Sequence, residues 1–230
     1  MTPEVAEVAR RVAAAENFFS CGKSAALVAS PLPAISEDVI KDDASVVPGE
    51  QLTCLLQQIQ DVTARASRLI SGRPEAVLAA SPHPGRWSAA ECFDHLARTT
   101  QVFLPPIKDA IAVAPRLASK RRMRAGTLAS LLIRGLEPPY RLKHKVPRHL
   151  APQHRDFPPA WSAFLNSQAH LSRALRSAAG LAIDEVKIKA PMCPGVSYNA
   201  YGALGILAAH QRRHLWQVEQ VLKALDRSAA

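Results

Sequence analysis

The sequence predicts an all-α protein: a four-helix bundle with a long crossover loop and an extra N-terminal segment. Three observations carry that expectation. Apolar residues make up 48% of the chain but aromatics only 5%, and the helix formers Ala and Leu dominate. No stretch of Val, Ile, Thr and Tyr alternates long enough to specify a sheet. Instead, four separate stretches repeat apolar residues at the 3-4 spacing of one buried helix face.

The 230 residues suffice for one core, with about 40–50 to spare. The spare residues fall at the start. Residues 1–47 read as an N-terminal leader, flexible or partly helical, because Ser30-Pro31-Leu32-Pro33 and Lys41-Asp42-Asp43 break any periodicity. The bundle is expected over 48–226, with 227–230 as a tail.

Its first helix is expected over Pro48–Ile70. Leu52, Leu55, Leu56, Ile59, Val62, Ala66 and Leu69 form its stripe, and Ser71-Gly72-Arg73-Pro74 ends it. The second begins after Ser88, because Ser88-Ala89-Ala90-Glu91 matches a capping box. Its inward stripe is Cys92, His95, Leu96, Thr99, Val102 and Phe103. Trp87 is placed to staple the helix start, and Pro105-Pro106 should end or kink the helix.

Residues 115–157 form a basic, Pro-interrupted connection with a short helix at Thr127–Leu136. A crossover this long should span the bundle. The third helix covers about Pro158–Ala179, with Trp161, Phe164, Leu165, Gln168, Leu171 and Leu175 inward and Gly180 as its stop. The fourth runs from about Tyr198 to Leu225, with Leu204, Leu207, His210, His214, Val218, Val221 and Leu225 on one stripe.

Composition excludes several classes. No apolar run reaches the ~18 residues needed to cross a bilayer. Glu4, Glu7, Arg10, Arg11 and Glu16 interrupt what would have to be a signal-peptide core. The expected location is therefore the cytoplasm, with no membrane partner. Cys21, Cys54, Cys92 and Cys193 include no C-x-x-C pair and read as reduced thiols.

The net charge of +10 is concentrated between Lys120 and Asp156. There Lys120, Arg121, Arg122, Arg124, Arg134, Arg141, Lys143, Lys145, Arg148 and Arg155 face only Glu137 and Asp156. Such a patch can attract anions, although a solvated loop is the commoner meaning of a charge run. Only Tyr140 is interleaved with it and no DNA-reading motif is present, so nucleic acid is disfavoured.

The histidines carry the chemistry. His210 and His214 are one turn apart on a single face, the arrangement in which two imidazoles can share a metal ion. H-x-x-x-H alone is a weak signal, and it more often means one hydrogen-bonded core histidine beside a partly exposed one. His95, on the inward stripe of a different helix, would complete a His₃ set with positions left open for water or substrate. His83, His144, His149 and His154 fall in loops, and His170 on the outer side of the third helix.

Gly85-Arg86-Trp87-Ser88-Ala89-Ala90-Glu91-Cys92-Phe93-Asp94-His95-Leu96 resembles the G-x-W-S-x-x-E-x-x-x-H-L segment of the DinB/YfiT-like superfamily. Ala209-His210-Gln211-Arg212-Arg213-His214-Leu215-Trp216-Gln217 is similar to that family's closing H-x-x-R-H-x-x-Q helix. The order and spacing of the two segments agree as well, over roughly residues 48–226. The resemblance implies an up-up-down-down bundle, a metal triad at His95, His210 and His214, and a homodimer. One departure is Gln211, where many relatives have Glu.

Some members of the superfamily are transferases or isomerases that use low-molecular-weight thiols; others are described as metal-dependent hydrolases. The expected function is accordingly a metal-dependent enzyme, of thiol S-transferase or hydrolase type. It would activate a thiol or water at one divalent transition-metal ion (Zn, Ni or Fe) and act on a small-molecule substrate. Two alternatives stay open: a non-catalytic metal-binding stress-response bundle, and a binder of anionic partners through the basic 120–155 segment. Cys92 can approach the ion or serve as a small core residue. Asp94 and Glu219 can orient ligands or form exposed salt bridges. Arg213 matches the family's Arg before the last histidine and can anchor a loop or an anionic substrate.

Overall fold

The computed structural model describes residues 48–117, 121–138, 146–193 and 195–229. The leader expected over 1–47 lies outside them, as do Lys120, Arg141, Lys143, His144 and Lys145 of the basic connection. Six α-helices, one 3₁₀ turn and one hairpin make up the described regular structure. They are α1 (Pro48–Ile70), α2 (Glu75–Ala79), α3 (Ala89–Val113), α4 (Thr127–Leu136), the turn Arg148–Leu150, α5 (Phe157–Ser177), β1 (Lys187–Lys189), β2 (Ser197–Asn199) and α6 (Ala200–Ala229).

The four long helices are the expected ones. α1 buries Leu52, Leu55, Ile59, Val62 and Ala66 and stops before Gly72, whose φ of 72° suits a residue without a Cβ. α3 starts with a complete capping box: the Glu91 N–H donates to the Ser88 hydroxyl (3.1 Å) and the Ser88 N–H to the Glu91 carboxylate (2.9 Å). α6 is capped by Asn199, whose Oδ1 accepts from the Gly202 N–H at 2.7 Å.

Several expectations need correction. Pro105 and Pro106 do not end α3, which runs on to Val113. Each proline inside a helix costs about 3 kcal/mol. Phe103, Leu104 and Ile107 beside them are buried, and such side chains return about 1.5–3 kcal/mol each. Packing overrides the local preference.

Leu165, assigned to the inward stripe of α5, is 38% exposed, and that face is filled by Ala160, Phe164, Ser167, Gln168, Leu171, Ala174 and Leu175. The fourth helix starts at Ala200 because Tyr198 belongs to an unexpected hairpin, in which Ile188 pairs with Tyr198. Both face the core while Lys187 and Lys189 are exposed. Three residues per strand are too few for a periodic signal.

The long connection also differs from expectation. It joins α3 to α5, and these two pack most extensively with one another, so it does not bridge opposite sides of the bundle. α1 and α3 each pack against both α5 and α6. The connection is used instead to lay α4 on α6 and to bring Leu150 onto α3. Part of its positive charge is spent internally. Arg121 makes a two-pronged pair with Asp184 (2.6 and 3.0 Å) and reaches Glu185 (2.6 Å), which raises its already high pKa.

The apolar core comes in two parts. Leu52, Leu55 and Ile59 of α1, Phe103 of α3, Leu171 of α5 and Leu207 of α6 belong to one. Val62 of α1, Phe93 and Leu96 of α3, Phe164 of α5 and Leu215 of α6 belong to the other. Between them, on the same helices, lie buried polar residues: Thr99, Thr100, Ser167, Gln168, His210 and Gln211. The bundle thus carries a polar layer across its middle.

α4 approaches α6 closely at Gly202, where an added Cβ would stand 2.6 Å from the Ala129 Cβ and 2.8 Å from the Ala125 carbonyl. Gly202→Ala should therefore destabilise the protein by about 1–3 kcal/mol, despite the helix preference for alanine. Gly49→Ala, which meets nothing within 4 Å, should be neutral or slightly stabilising. Urea unfolding measures both; equal stability of the two variants would contradict this close approach.

Candidate metal centre

The three histidines singled out by spacing come together. His95 is 1% exposed, His210 7% and His214 6%. Their ring centroids are 4.5 Å apart for His210–His214, 4.6 Å for His95–His214 and 5.1 Å for His95–His210. One nitrogen from each ring lies within 4.8 Å of the other two. The positions follow from local structure. The capping box fixes where α3 begins at Ala89, and His95 is about one and two-thirds turns further on. His210 and His214 share a face of α6 because helical residues four apart do.

Hydrogen bonding sets the orientation of one ring. His95 Nδ1 lies 2.8 Å from the Leu150 carbonyl oxygen, which can only accept, so Nδ1 carries the proton and donates. Its Nε2 is left with a lone pair, 3.2 Å from Nε2 of His210. The His210 Nδ1 and His214 Nδ1 atoms are buried without a hydrogen-bond partner. If His210 is protonated at Nε2, its Nδ1 lacks a donor. If it is protonated at Nδ1, two lone pairs face each other across 3.2 Å. A buried polar atom is short of a partner either way, at a cost of about 1–3 kcal/mol.

Electrostatics keep the rings neutral. Burial pushes the pKa of His95 down, partly opposed by the Leu150 bond and by Asp94. Burial pushes His210 and His214 well below the usual histidine range. The neighbouring rings and the Arg213 guanidinium act in the same direction, while Gln217 weakly opposes it at His214. Neutral imidazole is the form that binds a metal ion.

The donor set therefore fits a divalent transition-metal ion. A cation facing the lone pairs would relieve their repulsion. The 3.2 Å His95–His210 separation is also close to the ~3.3 Å edge expected for a tetrahedron of nitrogens about 2.0–2.1 Å from zinc.

Other candidate residues fall differently. Cys92 is fully buried among apolar side chains, and burial raises its pKa. It packs the core and is not in the three-histidine set. Asp94 and Glu219 are not exposed salt-bridge partners, being only 2% and 6% exposed. Asp94 Oδ2 accepts from the Gln153 N–H at 2.7 Å and the His154 N–H at 3.4 Å. Glu219 pairs with Arg65 of α1 at 2.5 Å. Arg213 is 7% exposed. His83, His149, His154 and His170 are exposed.

Gln211, the departure from the family pattern, makes a reciprocal amide pair with Gln168 (3.1 and 2.7 Å), and Gln168 also donates to Thr63 at 3.0 Å. It ties α6 to α5 and α1 within the polar layer.

Two contributors escaped the sequence reading. Trp87, read there as a staple, is partly buried and its ring stacks on His214 (centroids 5.9 Å, planes 22° apart) and tilts against His95 (4.9 Å). Its place before the cap was legible, its contact with the histidines was not. The Leu150 carbonyl is a backbone group in a loop bounded by Pro147 and Pro152, and no side-chain pattern marks it.

A family model described as the DinB superfamily matches residues 58–218, so the chain belongs to that superfamily. No curated protein and no solved structure matches it.

The amide pair yields a test of the polar layer. Gln168→Leu should cost about 1–3 kcal/mol, because it strips Gln211 of its partner while Gln211 stays buried. The double change Gln168→Leu with Gln211→Leu should cost clearly less than the sum of the two single changes. Urea denaturation of all four proteins reads the difference; simple additivity would mean the two amides are not coupled.

Proposed function

We propose that this DinB superfamily protein holds one divalent transition-metal ion at His95, His210 and His214 and activates a thiol or water nucleophile there. The observation that carries the proposal is the convergence of three buried, neutral imidazoles from two helices, with one nitrogen of each within 4.8 Å of the others. When bound, such an ion supplies positive charge that lowers the pKa of a coordinated thiol or water toward neutrality.

The protein's own residues prepare the place. His95 presents Nε2 because its Nδ1 is committed to Leu150. Three protein ligands are one fewer than a closed structural tetrahedron requires, which leaves room for a nucleophile. Trp87 forms an apolar wall against two of the rings and limits the access of bulk water. Arg213, whose charge is felt at both His210 and His214, is suited to hold an anionic group of the substrate. Imidazole ligands accommodate zinc, nickel or iron, and supply in the cell selects among them.

A second reading, a metal site that is structural only, is favoured by one observation: each of the three histidines is 7% exposed or less. The two readings differ in whether the ion has an exchangeable position.

Elemental analysis of the purified protein should find about one transition-metal ion per chain, and His214→Ala should abolish it. Full metal content in His214→Ala, or a metal-free wild type with undiminished thermal stability, would refute the centre. In the cobalt-substituted protein, a low-molecular-weight thiol should shift the visible absorption bands if a position is open. An unresponsive spectrum would leave the structural reading.

A further inference from the structure

We infer that Asp94 and Arg98 are positioning residues for His95: from one face of α3 they pin the strap Pro147–His154, so that its Leu150 carbonyl holds the His95 ring in one tautomer and one orientation. The consequence for metal binding rests on the proposed metal centre; the positioning itself does not.

The strap is 51 to 60 residues away from α3 along the chain, and three hydrogen-bonding sites join them. The Asp94 carboxylate accepts from the Gln153 and His154 N–H groups. The Arg98 guanidinium donates to the His149 carbonyl at 2.7 Å. Between these anchors, His95 donates to Leu150. Asp94 and Arg98 are four apart and so share a face of the helix. They grip the strap on either side of the carbonyl that faces His95.

Beyond these bonds, the segment is held by the Leu150 side chain and, one residue past its end, by the Arg155–Glu91 ion pair at 3.7 Å. Arg148, His149, Gln153 and His154 are exposed, while Leu150 is fully buried. Its internal bonds, such as Leu150 N–H to Pro147 carbonyl at 2.9 Å, shape a single turn but do not attach it to the bundle. A loop with so few buried groups opens readily unless it is tied. Asp94 is almost fully buried, and its hydrogen bonds with protein partners go to the strap backbone. A carboxylate in that setting is a strong acceptor for backbone N–H groups.

If the strap lifts, His95 loses the acceptor for its Nδ1 proton, and no hydrogen bond then fixes that tautomer. Loss of such an outer partner typically weakens metal binding 10- to 100-fold.

The test uses the full chain. In the metal-free wild type, nitrogen–proton correlation NMR should show His95 as a single Nδ1-protonated tautomer with a slowly exchanging ring proton. Asp94→Ala and Arg98→Ala should each admit the second tautomer or speed that exchange at His95, with little change at His214. Asp94→Asn, which keeps an acceptor oxygen, should restore most of the wild-type signal. In competition against a chelator, zinc should bind about 10-fold more weakly to the alanine variants. Arg98 is only partly buried, so its variant preserves the test if Asp94→Ala does not fold.

An unchanged His95 tautomer and exchange rate in a folded alanine variant overturns the inference, even if zinc is still lost in His214→Ala. Tautomer loss in a protein that binds no zinc supports the positioning role and removes the metal centre.

Discussion

Three imidazoles buried in the middle of a helical bundle impose the constraint on which this structure turns. Every ring nitrogen taken out of water needs a partner, and the protein supplies only some of them. The Leu150 carbonyl satisfies Nδ1 of His95, whereas Nδ1 of His210 and of His214 meets no hydrogen-bonding group. A purely apolar layer would be cheaper to bury. The cost is balanced elsewhere, by two apolar clusters that flank the layer and by caps that fix the helices that present it.

The same layer explains features that look unrelated. The Gln168–Gln211 pair satisfies two amides within it and leaves Gln211 turned toward α5 and α1. The long connection between α3 and α5 is not needed to link distant helices, since they are neighbours. Its length lets it cover α6 with α4 and then return to place a carbonyl against His95.

Enclosure gives the centre its chemical character. Burial keeps the imidazoles neutral and thus competent to ligate, and Trp87 lines the same space with an apolar face. An ion held by these three neutral ligands would keep its full charge, which the proposed nucleophile activation requires.

Much of this was legible in the sequence. The 3-4 spacing marked all four long helices, and α1 has the expected bounds. The Ser88–Glu91 box set the start of α3, and His95, His210 and His214 each fell on an inward stripe because helical periodicity assigns a face to every residue. Periodicity does not say which helices adjoin, so the burial of Asp94 and Glu219 and the neighbouring positions of α3 and α5 had to come from packing. Pro105 and Pro106 signalled a break, and only the buried side chains around them show why the helix continues. Trp87 on the rings and the Leu150 carbonyl on His95 were beyond reach for the same reason. One is a contact between elements distant in sequence, the other a backbone atom that every residue possesses. The set of three histidines was written along the chain; its orientation and its enclosure were decided by tertiary structure.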